Sequence, residues 1–363
     1  MSRPFTGPLA GLRVVEMVGQ GPAPYATTIL ADFGCDVVCV ERFAPPAPDR
    51  AAVSPMMRGK RSVVADVKTD EGRVAVRRLA DAADVFVDPY RPGACERLGL
   101  GPEVLCASNR RLIYARMTGF GQDGPLASAA GHDINYIALG GALEMIGPAG
   151  QAPVFPVNLL GDFAGGGMML VFGIVCAAYE RERSGLGQVI DAAMIDGVAA
   201  ILGPMFMAKT TGFWGPRGTN HLDGGAPFYN VYETADRKWI SIGAIEPQFH
   251  AELYRRLGLA EPDGWETDGW AAEKDRLAEV FRARTRDEWC ELLEGTDSCF
   301  APVLSVPEML THPHTARRGI GVDIHGTTQA APAPRLSRTP ATANDPCHPG
   351  QHSITDVLAD WTS

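Results

Sequence analysis

The feature that most constrains the fold is an alternation of short apolar segments with a helix near the start of the chain. Residues 12–18 predict a buried strand, and residues 36–41 predict a second one. Between them, residues 25–33 predict a helix that Gly34 ends. A strand, a helix and a strand so closely spaced form a βαβ unit, whose two strands lie parallel. The sequence therefore predicts a parallel sheet from its first segment.

The same alternation continues along the first half of the chain. A helix with acidic residues early and arginines late is predicted at 69–82. Further strands are predicted at 62–66, 84–87 and 112–117. We therefore predict an α/β fold with a large domain at 1–185, built as a doubly wound, Rossmann-like parallel sheet.

The second half of the chain changes character. A strand-like segment leads into a long helix, a strand at 238–243 precedes a run of helices, and a Pro/Ala/Thr-rich tail precedes a last short helix. We expect the chain from 330 to 363 to return to the large domain. The predicted division is a linker helix and loop at 186–224, a smaller α+β domain at 225–315, and a return linker and tail at 316–363.

Charge and cysteine content exclude several classes of function. The net charge of −10 and the pI near 5.3 argue against a general surface for nucleic acid or for an anionic membrane. The eight cysteines form no C-x-x-C pair and do not stand with histidines at zinc spacing. We therefore expect no metal site, and we expect free cysteines in a reducing cytoplasm.

One apolar stretch resembles a membrane span. Residues 163–179 carry no charge, but a bilayer span needs about 20 apolar residues. Three consecutive glycines at 165–167 also interrupt the stretch. We therefore predict a buried helix at this position.

The turn at 19–24 (GQGPAP) stands where a dinucleotide fingerprint would follow the first strand. It departs from G-x-G-x-x-G because Pro24 takes the place of the third glycine. Arg42 follows the acidic residue that ends the second strand. A nicotinamide site is therefore disfavoured, although the glycines still allow a close approach of backbone or ligand.

Basic residues gather at or near the predicted strand ends, which is unusual in an acidic protein. They could be solvated surface charges, or they could bind a phosphate-rich ligand at the carboxyl ends of the strands. The residues alone leave both interpretations open. The group consists of Arg42, Arg58, Lys60, Arg61 and Arg91.

An imidazole and a carboxylate each stand beside glycine at an apparent helix start. His132 precedes an apolar segment for which Asp133 is the predicted N-cap, and Asp162 precedes three glycines. His132 could be structural and Asp162 could be a plain N-cap, but together they are two groups that can give or take a proton. Each glycine weakens a helix by about 1 kcal/mol relative to alanine. We therefore expect backbone or ligand to pass close to this turn.

Glu246 lies between a predicted strand and Pro247, which suits a first helical turn. It could cap the helix, or it could orient and charge a histidine. The sequence contains no G-x-S-x-G elbow, no P-loop and no H-E-x-x-H motif.

The chain resembles the class III CoA-transferase family from end to end, and within it the racemases of 2-methylacyl-CoA thioesters. Single motifs are weak, but many occur in the family's order. They include residues 9–16, 58–62, 90–93, 97–101, 116–122, 131–136, 191–194, 222–227, 243–248 and 333–339.

The histidine decides between the two reactions of this family. By resemblance, the transferases use an aspartate at the position of Asp162 as a nucleophile and usually lack a histidine at position 132. The racemases carry both residues, as this chain does. The resemblance therefore implies that His132 and Asp162 flank C2 of the substrate, that Glu246 pairs with His132, and that the alternative reaction is CoA transfer through Asp162.

Further expectations follow from the resemblance. Backbone amides near Asp162 and the glycines would bind the enolate oxygen. No metal or redox cofactor is needed, because CoA is part of the substrate. Members of the family form interlocked homodimers, so we expect a homodimer here. The residues expected to bind substrate or CoA are Arg42, Arg58, Lys60, Arg91, Asp133 and Tyr136.

Overall fold

The computed structural model describes residues 6–42, 55–262 and 267–362. Within these residues the chain divides into two compact units. The first contains Met1–Gly140, Pro156–Ile201 and Pro313–Ser363, and the second contains Gly141–Phe155 and Leu202–His312.

The described chain forms eleven strands and fourteen α-helices, together with a π-helix at Leu159–Met168. The strands are β1 (Arg13–Met17), β2 (Asp36–Glu41), β3 (Arg61–Val64), β4 (Val85–Asp88), β5 (Ile113–Thr118), β6 (Val189–Ala193), β7 (Tyr229–Glu233), β8 (Trp239–Gly243), β9 (Phe300–Pro302), β10 (Gly321–Ile324) and β11 (Thr327–Ala330). The helices are α1 (Pro22–Asp32), α2 (Asp70–Ala82), α3 (Ala94–Arg97), α4 (Pro102–Ser108), α5 (Asp133–Leu139), α6 (Met169–Ser184), α7 (Met194–Ile201), α8 (Gly203–Thr210), α9 (Pro247–Leu257), α10 (Trp270–Phe281), α11 (Arg286–Leu293), α12 (Val306–Thr311), α13 (Pro313–Arg318) and α14 (Ile354–Thr362).

The first unit is built on a six-stranded parallel sheet in the order β3-β2-β1-β4-β5-β6. The predicted parallel α/β sheet is confirmed. Its last strand lies in the segment that we interpreted as a linker. Residues 189–193 pair with β5 along its length, and α7 also belongs to this unit, so the large unit extends past residue 185.

The central strands of this sheet are buried on both faces, as expected of a parallel sheet, whereas the edge strand β6 is partly exposed in the single chain. Alternate residues of each strand point to opposite apolar layers. One layer contains Val15 and Phe86, and the other contains Val14 and Val85. The C-terminal helix α14 completes the first of these layers, where the indole Nε1 of Trp361 donates to Asp36.

The second unit contains an antiparallel sheet in the order β7-β8-β9. Helices α9, α10 and α11 cover one face of it with apolar side chains. The sequence predicted the central strand but neither neighbour. Strand β9 has only three residues, which is too short for a recognisable pattern, and β7 follows directly on a Gly-rich loop.

Helix residues Leu159–Ser184 are long and apolar enough to cross a membrane by length and composition alone. In the structure one side of this helix packs into the first unit through Leu170, Ile174 and Ala177. The opposite side is exposed in the single chain. The prediction of a buried helix is therefore right for one face only.

Candidate active site

A cavity of about 610 Å³ lies in the first unit at the carboxyl ends of the parallel strands. The chain turns outward to opposite sides of the sheet after β1 and after β4, which are neighbours in the sheet. Such a switch point leaves a crevice in which open α/β sheets bind ligands. The lining comes from the turns after three strands, from α5, from the start of the π-helix and from α7. It includes Gln20, Gly21, Tyr90, Arg91, Gly119, Phe120, Gly131, His132, Asn135, Tyr136, Asn158, Asp162 and Met194.

His132 lies at the rim of this cavity, immediately before α5. It is the N-cap residue of that helix and has extended backbone dihedrals. Its N–H donates to the side-chain oxygen of Asn135 at 3.0 Å, which fixes the backbone on which the imidazole stands. The side chain of His132 is exposed, so a ligand in the cavity can reach it.

Asp162 enters the same cavity from the first turn of the π-helix. Asn158, one turn earlier, donates to Asp162 Oδ2 at 3.0 Å. A Cβ atom added to Gly21 would lie 3.4 Å from the same oxygen, so the turn after β1 passes close to the carboxylate. Val157, just before this helix, has a φ of 54°, which is strained for a β-branched residue.

The electrostatic environment of Asp162 suits a proton acceptor. Burial raises the pKa of its carboxyl above the ordinary value. The hydrogen bond from Asn158 lowers this pKa, the charge of Asp133 raises it, and that of His132 lowers it. A carboxylate whose pKa lies above the usual range is a stronger base once ionised.

Asp133 does not have the predicted role. It is the first residue of α5 and not its N-cap, and only 5% of it is exposed. Its Oδ2 accepts hydrogen bonds from the backbone N–H groups of Gly161 at 2.6 Å and Asp162 at 2.7 Å. This carboxylate therefore binds the neighbouring helix and is not placed to bind substrate. The backbone amides of Gly161 and Asp162 are thereby occupied, so these two are not free for the role that we predicted, which is to bind an enolate oxygen.

Tyr136 supports the loop that carries His132. Its hydroxyl donates to the carbonyl oxygen of Gly131, and its ring packs edge-on against Phe120 with centroids 4.9 Å apart. A Cβ atom at Gly119 would lie 2.1 Å from this ring, which explains the glycine. Burial, followed by the charge of Asp162, raises the pKa of Tyr136. The ring lines the cavity, and its contact with substrate stays a prediction.

The glycines at 165–167 have a structural cause. A Cβ atom at Gly165 would lie 3.0 Å from the backbone nitrogen of Val198, and one at Gly167 would lie 2.5 Å from the ring of Tyr25. The π-helix therefore packs with its backbone directly against α7 and α1. The close approach that we expected at these glycines is therefore made by neighbouring helices of the protein.

Lys60 and Arg58, which we expected to bind CoA, are committed to buried ion pairs. The Lys60 side chain is 0% exposed and donates to Glu16 at 2.7 Å, Thr27 at 2.7 Å and the carbonyl oxygen of Pro24 at 3.0 Å. Arg58 pairs with Asp32 and also donates to the carbonyl oxygen of Ala330. Since their donors are directed inward, neither side chain is available to a phosphate. These two predictions are corrected.

Arg91 and Arg42 remain available. Arg91 lines the cavity, is exposed, and has no ion-pair partner among the residues that the structure describes. Arg42 is exposed directly after β2, and the segment that follows it lies outside the described residues. Their contact with CoA stays a prediction.

Glu246 belongs to the second unit. It is the N-cap residue of α9, its side chain is exposed, and it accepts no hydrogen bond from the helix amides. It therefore does not have the simple capping role. Its pairing with His132 stays a prediction.

The cavity lining also includes Asn158, Phe120 and Met194, which were not among the predicted site residues. Asn158 stands four residues before Asp162, and that spacing on one helical face was a usable signal. Phe120 and Met194 come from a loop and from α7, and no local pattern brings them to the cavity. In the described part of the chain, no group of three or more His, Cys, Asp or Glu side chains is arranged to hold a metal ion.

Comparison with known proteins identifies the family of the chain. The sequence pattern that defines CoA-transferase family III matches residues 9–353. The chain belongs to this family. The predicted family resemblance is thereby confirmed.

Relatives within CoA-transferase family III include both reaction types. The chain is 45% identical to the alpha-methylacyl-CoA racemase of Mus musculus, over 97% of this chain and 93% of that protein. It is 32% identical to the succinyl-CoA–D-citramalate CoA-transferase of Chloroflexus aurantiacus, over 97% of this chain and 94% of the relative. The crystal structure of a CaiB/BaiF family protein from Brucella suis matches with a TM-score of 0.83 and 28% identity, covering 98% of this chain and 100% of that one.

Proposed function

We propose that this protein is a racemase of 2-methylacyl-CoA thioesters, which inverts C2 by proton transfer through an enolate. The observation that carries the proposal is the presence of His132 and Asp162 in one cavity at the switch point of the sheet. The 45% identity to a protein named alpha-methylacyl-CoA racemase supports the same reaction. Racemisation needs two groups that exchange a proton with one carbon, and these are the two.

The proposed reaction has two steps. One of the two groups removes the C2 proton, and the electron pair of the C–H bond moves into the thioester carbonyl to form an enolate. The other group then donates its proton to the opposite face of C2. After turnover the two groups have exchanged protonation states, and the raised pKa of Asp162 brings its basicity closer to that of an imidazole.

The thioester would be held by groups at the mouth of the cavity. We propose that Arg91 pairs with a CoA phosphate and that Arg42 contributes from the end of β2, since both side chains are exposed. We also propose that Glu246 holds the imidazole of His132 in its charged form, as the family resemblance implies. No metal or redox cofactor is assigned a step, because the proton transfers need only the two groups and the thioester itself.

A homodimer in a reducing cytoplasm belongs to the same proposal. The eight cysteines are free thiols in the structure, which fits a reducing compartment. A row of apolar side chains on the exposed face of the π-helix and α6 offers a surface for a second copy. The row consists of Met168, Phe172, Val175 and Tyr179.

The test is exchange of the C2 proton in D₂O. The purified protein is incubated with each epimer of a panel of thioesters carrying branched fatty acyl, sterol side-chain and arylpropionyl groups. We expect deuterium at C2 and interconversion of the epimers. Absence of exchange across the panel, with CoA transfer between carboxylic acids, would assign the chain to the transferases instead.

The His132→Ala variant separates these two reactions. We expect loss of epimerisation on the order of 10²–10⁴-fold, because one proton-transfer group is missing. The exposed His325 serves as a matched control, and its alanine variant should keep full activity. A transferase would retain activity in His132→Ala and would form a covalent adduct on Asp162 that hydroxylamine cleaves.

A further inference from the structure

Asp133 makes a contact that the proposed reaction does not use. Its carboxylate is buried, and one oxygen accepts from two consecutive amides of another helix, those of Gly161 and Asp162. The other oxygen, Oδ1, is also buried and has no hydrogen-bond partner within the described residues. Buried polar groups are costly when incompletely paired, so a carboxylate kept in this position needs a reason.

The contact replaces the usual cap of the π-helix. The first amides of a helix have no partner within the helix and are normally satisfied by the N-cap side chain. Here the N-cap residue is Asn158, which does not cap its own helix and instead donates to the Asp162 carboxylate. Asp133, which stands on α5, caps the π-helix instead. A negative charge is favourable at the N-terminus of a helix.

Close packing fixes this arrangement. A Cβ atom added to Gly161 would lie 2.6 Å from Asp133 Oδ2 and 2.9 Å from its carboxyl carbon. Any side chain at position 161 would therefore push the carboxylate away from both amides. Gly161 and Asp133 form a matched pair, although 28 residues separate them.

We propose that Asp133 is a positioning residue, which sets the distance between the two proton-transfer groups. Its backbone follows His132 directly, and its side chain holds the backbone of Asp162. One residue thus joins the imidazole and the carboxylate through short, rigid connections. This inference rests on the proposed racemase function, in which both groups must reach one carbon.

The charge of Asp133 has a second consequence for the reaction. It lies close enough to Asp162 to raise the pKa of that carboxyl, in addition to the larger effect of burial. The other titratable groups that face Asp162 are His132 and Tyr136. Removing the Asp133 charge should therefore lower the pKa of Asp162 and leave the remaining neighbours in place.

Two substitutions test the proposal by exchange kinetics. In Asp133→Asn an amide oxygen can still accept from both N–H groups, but the charge is gone. We expect the acidic limb of the pH–rate profile to move to lower pH for the epimer that Asp162 deprotonates. In Asp133→Ala both hydrogen bonds to the amides of Gly161 and Asp162 are lost. We then expect kcat to fall about 10²-fold, because a misplacement of about 1 Å can cost a reaction this much.

Asp84→Asn is the matched control. Asp84 is another largely buried aspartate of the same unit that accepts a hydrogen bond from a backbone amide, that of Arg13 at 2.9 Å, but it directly precedes β4, at the amino ends of the strands and away from the cavity. We expect Asp84→Asn to lower the melting temperature without moving the acidic limb. All variants are compared below their melting temperatures, so that loss of fold is not read as loss of catalysis.

The outcomes are distinct. If the unmodified protein shows no C2 exchange, the proposed function fails and the variants are not needed. If it exchanges, an unmoved acidic limb in Asp133→Asn overturns the effect of the Asp133 charge on Asp162. Activity of Asp133→Ala within a few-fold of the unmodified protein overturns the positioning role. A shifted limb in Asp133→Asn supports the close contact between Asp133 and Asp162 even if Asp133→Ala fails to fold.

Discussion

At the scale of single residues, two aspartates have pKa values shifted in opposite directions. Burial raises the pKa of Asp162, whereas hydrogen bonds from Thr234 and from the Arg286 amide hold that of Asp236 at about 2. A raised carboxyl pKa means that the folded state binds the proton more tightly than the unfolded chain does. Ionised Asp162 therefore costs stability, as groups placed for catalysis often do.

We predict that Asp162→Asn is inactive but more stable than the unmodified protein at neutral pH. The cost of ionising Asp162 is absent below the ordinary pKa of 3.8 and grows as the pH rises through the raised value. The difference in melting temperature should therefore vanish in acid. Thermal melts across this range measure it.

Asp236→Asn should show the opposite sign. A lowered pKa contributes stability above 3.8, and this is lost as the pH falls towards about 2. The variant should be less stable at neutral pH, and the gap should close in acid. Equal pH dependence in the two variants would contradict the assigned environments.

The buried pair of Lys60 and Glu16 supports a structural role for a lysine that the sequence suggested for CoA. We predict that Lys60→Met lowers the free energy of unfolding by about 3–5 kcal/mol, because it leaves a buried carboxylate unpaired. The double variant with Glu16→Gln should recover most of this loss. Denaturant titration measures stability. An unchanged KM for the CoA thioester in folded Lys60→Met would confirm that the lysine does not bind the substrate.

At the scale of elements, the π-helix is held by backbone-to-backbone packing. A Cβ atom at Gly197 of α7 would lie 1.8 Å from the carbonyl oxygen of Gly165. A side chain at position 197 would therefore push the two helices apart, and Asp162 stands on the same π-helix as Gly165. The position of the Asp162 carboxylate thus depends on glycines outside the cavity.

We predict that Gly197→Ala destabilises the fold by at least about 1–3 kcal/mol, the usual cost of overpacking. It should also reduce C2 exchange in the protein that remains folded. Gly203→Ala is the control, because a Cβ atom at Gly203 meets nothing within 4 Å. Its stability should stay the same or rise slightly, as measured by thermal melts. Equal effects of the two substitutions would contradict the packing account.

At the scale of the whole molecule, the exposed apolar row on the π-helix and α6 is the surface on which we expect a second copy of the chain to bind. Phe172 is 66% exposed and Tyr179 is 69% exposed in the single chain. Met168 and Val175 lie on the same helical face. Contiguous apolar surface of this kind marks protein interfaces.

We predict a homodimer in sedimentation experiments and a monomer for Phe172→Glu, since a buried unpaired charge opposes association. Val104→Glu, which places the same charge on an exposed valine of α4, should remain a dimer. If Phe172→Glu sediments as the unmodified protein does, the row is not the interface.

Much of the first unit was predictable from local patterns. Strands β1 and β2 carry consecutive buried apolar residues, and the helix between them is ended by glycine, so pattern and structure agree within a few residues. Strand β6 was identified as a strand but not as a member of the sheet. Its place depends on pairing with β5, which lies about 75 residues earlier in the chain. A pairing over this separation cannot be recognised from the local sequence of β6.

The sequence by itself determined the parallel sheet, through short-range periodicity, and the family, through a resemblance that runs from end to end. That resemblance implies the roles of His132 and Asp162, which line one cavity in the structure. Only the tertiary structure decided which partners the nearby charged side chains bind. Lys60 and Arg58 face inward to carboxylates, and Asp133 binds the amides of a helix that begins 26 residues later. The physical reason is that a charged side chain looks the same in the sequence whether it binds a ligand or pairs with a buried residue of opposite charge. The choice between the two is made by the packing of distant segments.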